Sequence, residues 1–156
     1  MKGSMNEVVH PMSEETVLQV FEAHLGDTIH SFDVPPPSFV TMQGQFLNIN
    51  PARGTLTASF PALPAFRNPY GAMQGGMIAA AVDNTIGPLS MLYNPPNVTR
   101  RMEIKYSRPV DEHVAVILVH AQFVERRASW LTFRADVRSE DGVLLARARA
   151  RHWILA

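Results

Sequence analysis

Cysteine is absent from this 156-residue chain. That excludes disulfides, thiol catalysis and thiolate-rich zinc or iron–sulfur sites, and it suits an intracellular protein. Net charge is missing too: 14 basic and 14 acidic side chains cancel, so the total exerts no pull toward nucleic acid or an anionic membrane. Any anion site has to be local. No apolar run approaches the roughly 20 residues of a membrane span, and the N-terminus lacks a charged start followed by an apolar signal core. A cytoplasmic protein with no membrane or nucleic-acid partner is expected. The six histidines, at positions 10, 24, 30, 113, 120 and 152, show no HExxH or other short metal-ligand spacing, and neither a GxSxG elbow nor a GxxxxGK phosphate loop occurs. No metal or resident cofactor is expected, and His120 and His152 read as packed or surface residues of strands.

What is present is apolar patterning. Hydrophobic residues make up 46% of the chain, enough at this length for one domain to bury a core. The opening MKGSM is set aside from fold reasoning. Ser13 is a good N-cap with Glu14 and Glu15 behind it, and Val17, Val20, Phe21 and Leu25 share one helical face before Gly26. VPPPS then reads as a stiff polyproline spacer. Residues 39–62 read as two strands joined at Asn50 to Gly54, with Leu56, Ala58 and Phe60 alternating against Thr55, Thr57 and Ser59.

Four further strands follow a central helix. In the first, Met102, Ile104 and Tyr106 oppose Glu103, Lys105 and Ser107. Asp141-Gly142 marks a tight turn before the last, where Ala146, Ala148 and Ala150 alternate with Arg147, Arg149 and Arg151. One face of the sheet is therefore covered and one is wet. The cover is the segment from Gln74, about 19 residues and roughly 28 Å as a helix. Its large apolar face carries Met77, Ile78, Val82, Ile86 and Leu89; its other stripe is small, with Gly76, Ala79, Ala80, Gly87 and Ser90, and holds one carboxylate, Asp83. Pro88 is expected to kink or loosen the helix, since it cannot donate to the carbonyl of Asn84. A carboxylate in such a run costs several kcal/mol unless it is solvated, paired or used.

With these elements in place the chain resembles the hot-dog-fold acyl-CoA thioesterases of the phenylacetic-acid-degradation and 4-hydroxybenzoyl-CoA type, from about Val40 to its end. The family pattern is an asparagine, His-Gly-Gly six residues later at the helix start, and an acidic residue nine after the histidine. Asn68, Gln74-Gly75-Gly76 and Asp83 stand at those spacings, and Thr99 opens the next strand where the family often has serine or threonine. Gln74 replaces the histidine. The resemblance implies an α+β hot-dog fold, an antiparallel sheet wrapped around one long helix, over residues 37–156, with residues 1–36 as an extension containing a short helix. It implies a homo-oligomer, dimer or tetramer, whose sites lie across a dimer interface, and an acyl-CoA substrate, so that coenzyme A enters only as part of the substrate.

Within that frame Gly75 is expected to donate its N–H to the oxyanion from the helix start, and Asp83 to act as general base or nucleophile. Asn68 would orient the oxyanion region and Thr99 the water or Asp83. Gln74 can position but cannot titrate near neutral pH, so the pH profile is expected to report chiefly a carboxylate. Arg126 and Arg127, in the turn ERRAS, are candidates for the phosphates of coenzyme A. Each residue also has a plain structural role open to it: solvated helix face for Asp83, turn for Asn68, surface turn for the arginines. The competing function is a non-catalytic acyl-CoA-binding protein in which Gln74 marks lost activity. A dehydratase is more distant, because that chemistry uses a histidine with an acid and the helix start has none.

Overall fold

The computed structural model describes residues 10–93 and 95–156; the MKGSM opening and part of the 1–36 segment lie outside them. Helix α1, Glu14–Leu25, starts where Ser13 accepts a bond from the Thr16 N–H at 3.2 Å and stops at Gly26, whose φ of 55° suits glycine. Val17 and Phe21 bury its inner face in the same core as the sheet. The prolines do not form an extended spacer. Pro37 opens a short helix α2, Pro37–Thr41, because its missing N–H is not needed in the first turn. Phe39 to Thr41 are thus helical rather than the start of a strand.

Strands β1, Gln45–Asn50, and β2, Thr55–Pro61, form the expected hairpin. Helix α3, Gly75–Met91, follows, with Gln74 as its N-cap. It runs through Pro88 without ending there. Strands β3, Asn97–Tyr106; β4, Val116–Arg127; β5, Trp130–Ser139; and β6, Leu144–Ile154, complete one antiparallel sheet in the order β1-β2-β4-β5-β6-β3. The last hairpin turns at Gly142, whose φ is 81°.

Helix α3 lies across one face of the sheet. Leu56, Phe60, Ile117, Phe133 and Ala150 from four strands bury against it, while Arg147 and Arg149 face outward. This is the hot-dog arrangement. Its energy comes from the apolar inner face, at roughly 25 cal/mol per Å² removed from water. The small stripe of α3 is the less covered one: Gly76 is exposed, and Ala79, Ala80, Asp83 and Gly87 are half-buried.

Candidate active site

Asp83 sits in that stripe two turns into α3, half-buried, and receives a hydrogen bond at 2.8 Å from the Thr99 hydroxyl. Thr99 reaches it because of a bulge. Thr99 pairs with His152 and Arg101 with Arg151, so Arg100 is an extra residue in β3. Met102 and Thr99 are three apart, and strict alternation would point them to opposite faces; the bulge restores Thr99 to the face that carries Met102. On β6 no such correction is needed, since His152 continues the buried row of Ala146, Ala148 and Ala150.

His152 is the residue that sequence reasoning passed over. It is buried, at 2% exposure, and its Nε2 lies 3.1 Å from the Thr99 Oγ1, while its Nδ1 lies 2.8 Å from Asn97 Oδ1. Burial lowers its pKa from 6.5, and the Asp83 charge opposes that shift. The even spacing from Ala146 to His152 was the available signal: it puts the imidazole on the inner face. Nothing local marks Asn97, which reaches the site by pairing across the sheet.

These four side chains line a cleft of about 510 Å³ whose remaining wall includes Phe32, Pro36, Pro88, Met91 and Val98. A hydrogen bond of 2.6 Å from the Ser38 hydroxyl to Asn84 Oδ1 ties α2 to α3 beside it.

Asn68, Gln74 and Gly75 lie in the loop that enters α3 and at its start. The Asn68 Oδ1 accepts from the N–H groups of Tyr70 and Ala72, at 2.9 and 3.2 Å, so this side chain builds the loop that enters α3. Gln74 is exposed, and its side chain caps nothing. The amides of Gly75 and Gly76, in the first helical turn, have no intrahelical acceptor. Tyr106 donates its hydroxyl to the Gly75 carbonyl at 2.7 Å, and a Cβ at Gly75 would come within 3.2 Å of that ring. Burial raises the Tyr106 pKa, so the phenol stays a donor at neutral pH. Eight residues, roughly 12 Å of helix, separate Gly75 from Asp83. One chain therefore brings Thr99 to Asp83, while Asn68 shapes the loop before α3 and Gln74 and Gly75 stand at the helix start, about two turns from Asp83.

Arg126 and Arg127 end β4. Arg126 stands in register with Leu131, Leu131 with His152, and His152 with Thr99, which puts it three strand spacings, about 14 Å, from Thr99. Arg127 pairs with Glu125 at 2.9 Å and borders a basic groove on the open face with Arg101, Arg149 and Arg151. Among the described residues there is no His, Cys, Asp and Glu cluster able to hold a metal, and no helix is long and apolar enough to cross a membrane.

Residues 70–146 match the family model of the thioesterase superfamily. None of the curated proteins matches the chain in sequence. Among solved structures, a phenylacetic acid degradation-related protein of Ralstonia eutropha JMP134 superposes with a TM-score of 0.70 at 24% identity, covering 81% of this chain and 97% of that one. The PaaI protein of E. coli, from the phenylacetic acid degradation operon, gives 0.72 at 12% identity over 91% of this chain and 95% of its own. A hypothetical thioesterase protein of Streptococcus pneumoniae TIGR4, solved with coenzyme A, gives 0.68 at 15% identity, covering 76% and 92%. By fold this chain is a hot-dog protein, and over residues 70–146 it is similar to the thioesterase superfamily.

Proposed function

We propose that the chain hydrolyses an acyl-CoA or aryl-acyl-CoA thioester to the free acid and coenzyme A, in the cytoplasm, with residues 37–156 as the catalytic domain and residues 1–36 as an extension. The observation that carries this reading is the Asp83 carboxylate held by Thr99 in a largely apolar cleft. A positioned carboxylate there can take a proton from water as the water oxygen bonds to the thioester carbon. It can equally attack that carbon itself, releasing thiolate and leaving an anhydride for water. The developing oxyanion is met by the Gly75 N–H, which the Tyr106 clamp holds in place. Asn68 spends its oxygen on the loop and keeps its amide N–H₂ for the same region. Gln74 positions without titrating, Arg126 and Arg127 meet phosphates, and no metal or resident cofactor takes part.

The 12 Å between Asp83 and Gly75 is closed by a second copy, whose helix start faces Asp83 across a two-fold axis. Support comes from β3, which ends the sheet with β6 as its one strand neighbour among the described residues, and from Val98 and Tyr106 at 43% and 49% exposure. A dimer or tetramer is expected in light scattering at micromolar concentration. A strictly monomeric, fully active species would remove the shared site.

A second reading, a non-catalytic acyl-CoA-binding protein, is favoured by the exposed, non-capping Gln74. Thiol release from a panel of acyl- and aryl-acyl-CoAs, followed with a thiol reagent, separates the two. Release is expected; binding of the whole panel without release would establish the second reading.

A further inference from the structure

We infer that Asp83 and His152 share one proton through the Thr99 hydroxyl, so that the base in the cleft is the pair and not the carboxylate alone. The inference deepens the proposed hydrolysis and rests on it for its catalytic meaning, but the shared proton follows from counting donors and acceptors. The Asn97 amide nitrogen donates to the Ser90 carbonyl at 3.2 Å, and a carbonyl only accepts, so the Asn97 oxygen is the atom turned toward His152. That oxygen also only accepts. The Nδ1 at 2.8 Å must therefore carry a hydrogen, and in the neutral ring Nε2 is bare.

Thr99 has one hydroxyl hydrogen and two neighbours, Asp83 Oδ1 at 2.8 Å and Nε2 at 3.1 Å. With Asp83 ionised and His152 neutral, both neighbours are acceptors competing for it. One added proton satisfies the whole chain in either of two ways. On Asp83, the carboxyl donates to Thr99 and Thr99 donates to Nε2; on His152, Nε2 donates to Thr99 and Thr99 donates to the carboxylate. The two arrangements interconvert by moving hydrogens along two hydrogen bonds, with the heavy atoms in place.

The surroundings of His152 act on its charge in opposite directions. The Phe133 ring, 5.2 Å away, and Leu131 from β5 give His152 an apolar wall that disfavours its charge, while Asp83 on α3 favours it. The other titratable group on the cleft is Asp33, itself exposed, in the half-buried segment before α2. On the general-base branch, the proton leaving water enters at Asp83 and moves through Thr99 to Nε2 as the carbon–oxygen bond forms. It returns by the same route to the thiolate sulfur as the carbon–sulfur bond breaks, leaving the protein unchanged. The sheet thus supplies the imidazole that Gln74 lacks at the helix start, and the pH profile acquires a limb belonging to the pair.

The test is ¹⁵N NMR of histidine-labelled protein, wild type and Asp83→Asn. The neutral His152 ring is expected as the Nδ1–H tautomer, and removing the Asp83 charge is expected to move its titration to lower pH. An Nε2–H tautomer, or a titration that Asp83→Asn leaves in place, overturns the inference. Both readouts stand without turnover, so a wild type that releases no thiol would defeat the thioesterase reading and leave the shared proton to be decided by NMR. In kinetics, His152→Gln is expected to lower kcat by about 10²-fold with little change in KM and to remove the pair's limb from the kcat profile. Thr99→Val should cost a similar factor, with most of it recovered by Thr99→Ser. An intact limb in folded His152→Gln also overturns the inference.

Discussion

Replacing Asp83 with asparagine is expected to lower kcat by about 10²- to 10⁴-fold, the range for a positioned acid–base group. The substitution is close to isosteric. Asparagine still accepts the Thr99 hydroxyl through its oxygen, so the cleft keeps its shape and loses only charge and basicity. A non-hydrolysable acyl-CoA analogue should bind within a few-fold of wild type, since Arg126 and Arg127, not Asp83, are assigned to the phosphates. The division between catalysis and binding is what makes the result informative. A loss confined to kcat places the carboxylate in chemistry, whereas a parallel loss of analogue affinity assigns it to binding. A folded variant working at nearly the wild-type rate would return Asp83 to an ordinary helix residue and remove the support for hydrolysis.

How far such a site was legible in the chain depends on whether its cause is local. Ser13 and Gly26 bound α1 by capping chemistry, and alternation from Leu131 to Val137 and from Ala146 to Ala150 sets two strands and their inner faces. The helical turn at Phe39 to Thr41 escaped because β-branched and aromatic residues favour strands, whereas the start at Pro37 and the Ser38–Asn84 bond select a helix there. Pro88 was expected to kink or loosen α3; the helix continues past it to Met91, with the Ser90 hydroxyl bonded to the Gly87 carbonyl at 2.6 Å. Asp83 and Thr99 stood out by family spacing, but their contact depends on the bulge at Arg100, which strict alternation does not contain. His152 was readable from its even spacing to three inward alanines. Its partners were not, because Asn97 and Thr99 lie more than fifty residues away and meet it only through strand pairing.

The wall behind His152 gives the largest expected effect on stability. Phe133 is fully buried at the middle of β5, with Phe123 at 5.6 Å, Tyr93 at 6.3 Å and the His152 ring at 5.2 Å between centroids. Phe133→Ala is expected to cost about 3–5 kcal/mol, the range for removing a buried ring. At about 2–4 °C per kcal/mol for a chain of this size, the thermal midpoint should fall by roughly 6–20 °C in scanning calorimetry. The upper part of that range is favoured because the neighbours have little room to fill the space. Tyr93 stacks on Phe123 at 3.8 Å, and behind its hydroxyl lies the Gly54 backbone, so close that a Cβ there would stand 2.3 Å away. A ring held on both sides cannot swing into the cavity, and the unrelaxed volume adds to the lost transfer energy. Phe133→Leu, which keeps most of the volume, should recover the larger part of the loss. If Phe133→Ala cost under about 1 kcal/mol, the rings would have to repack freely, and the apolar wall that disfavours charge on His152 would be a plastic surface.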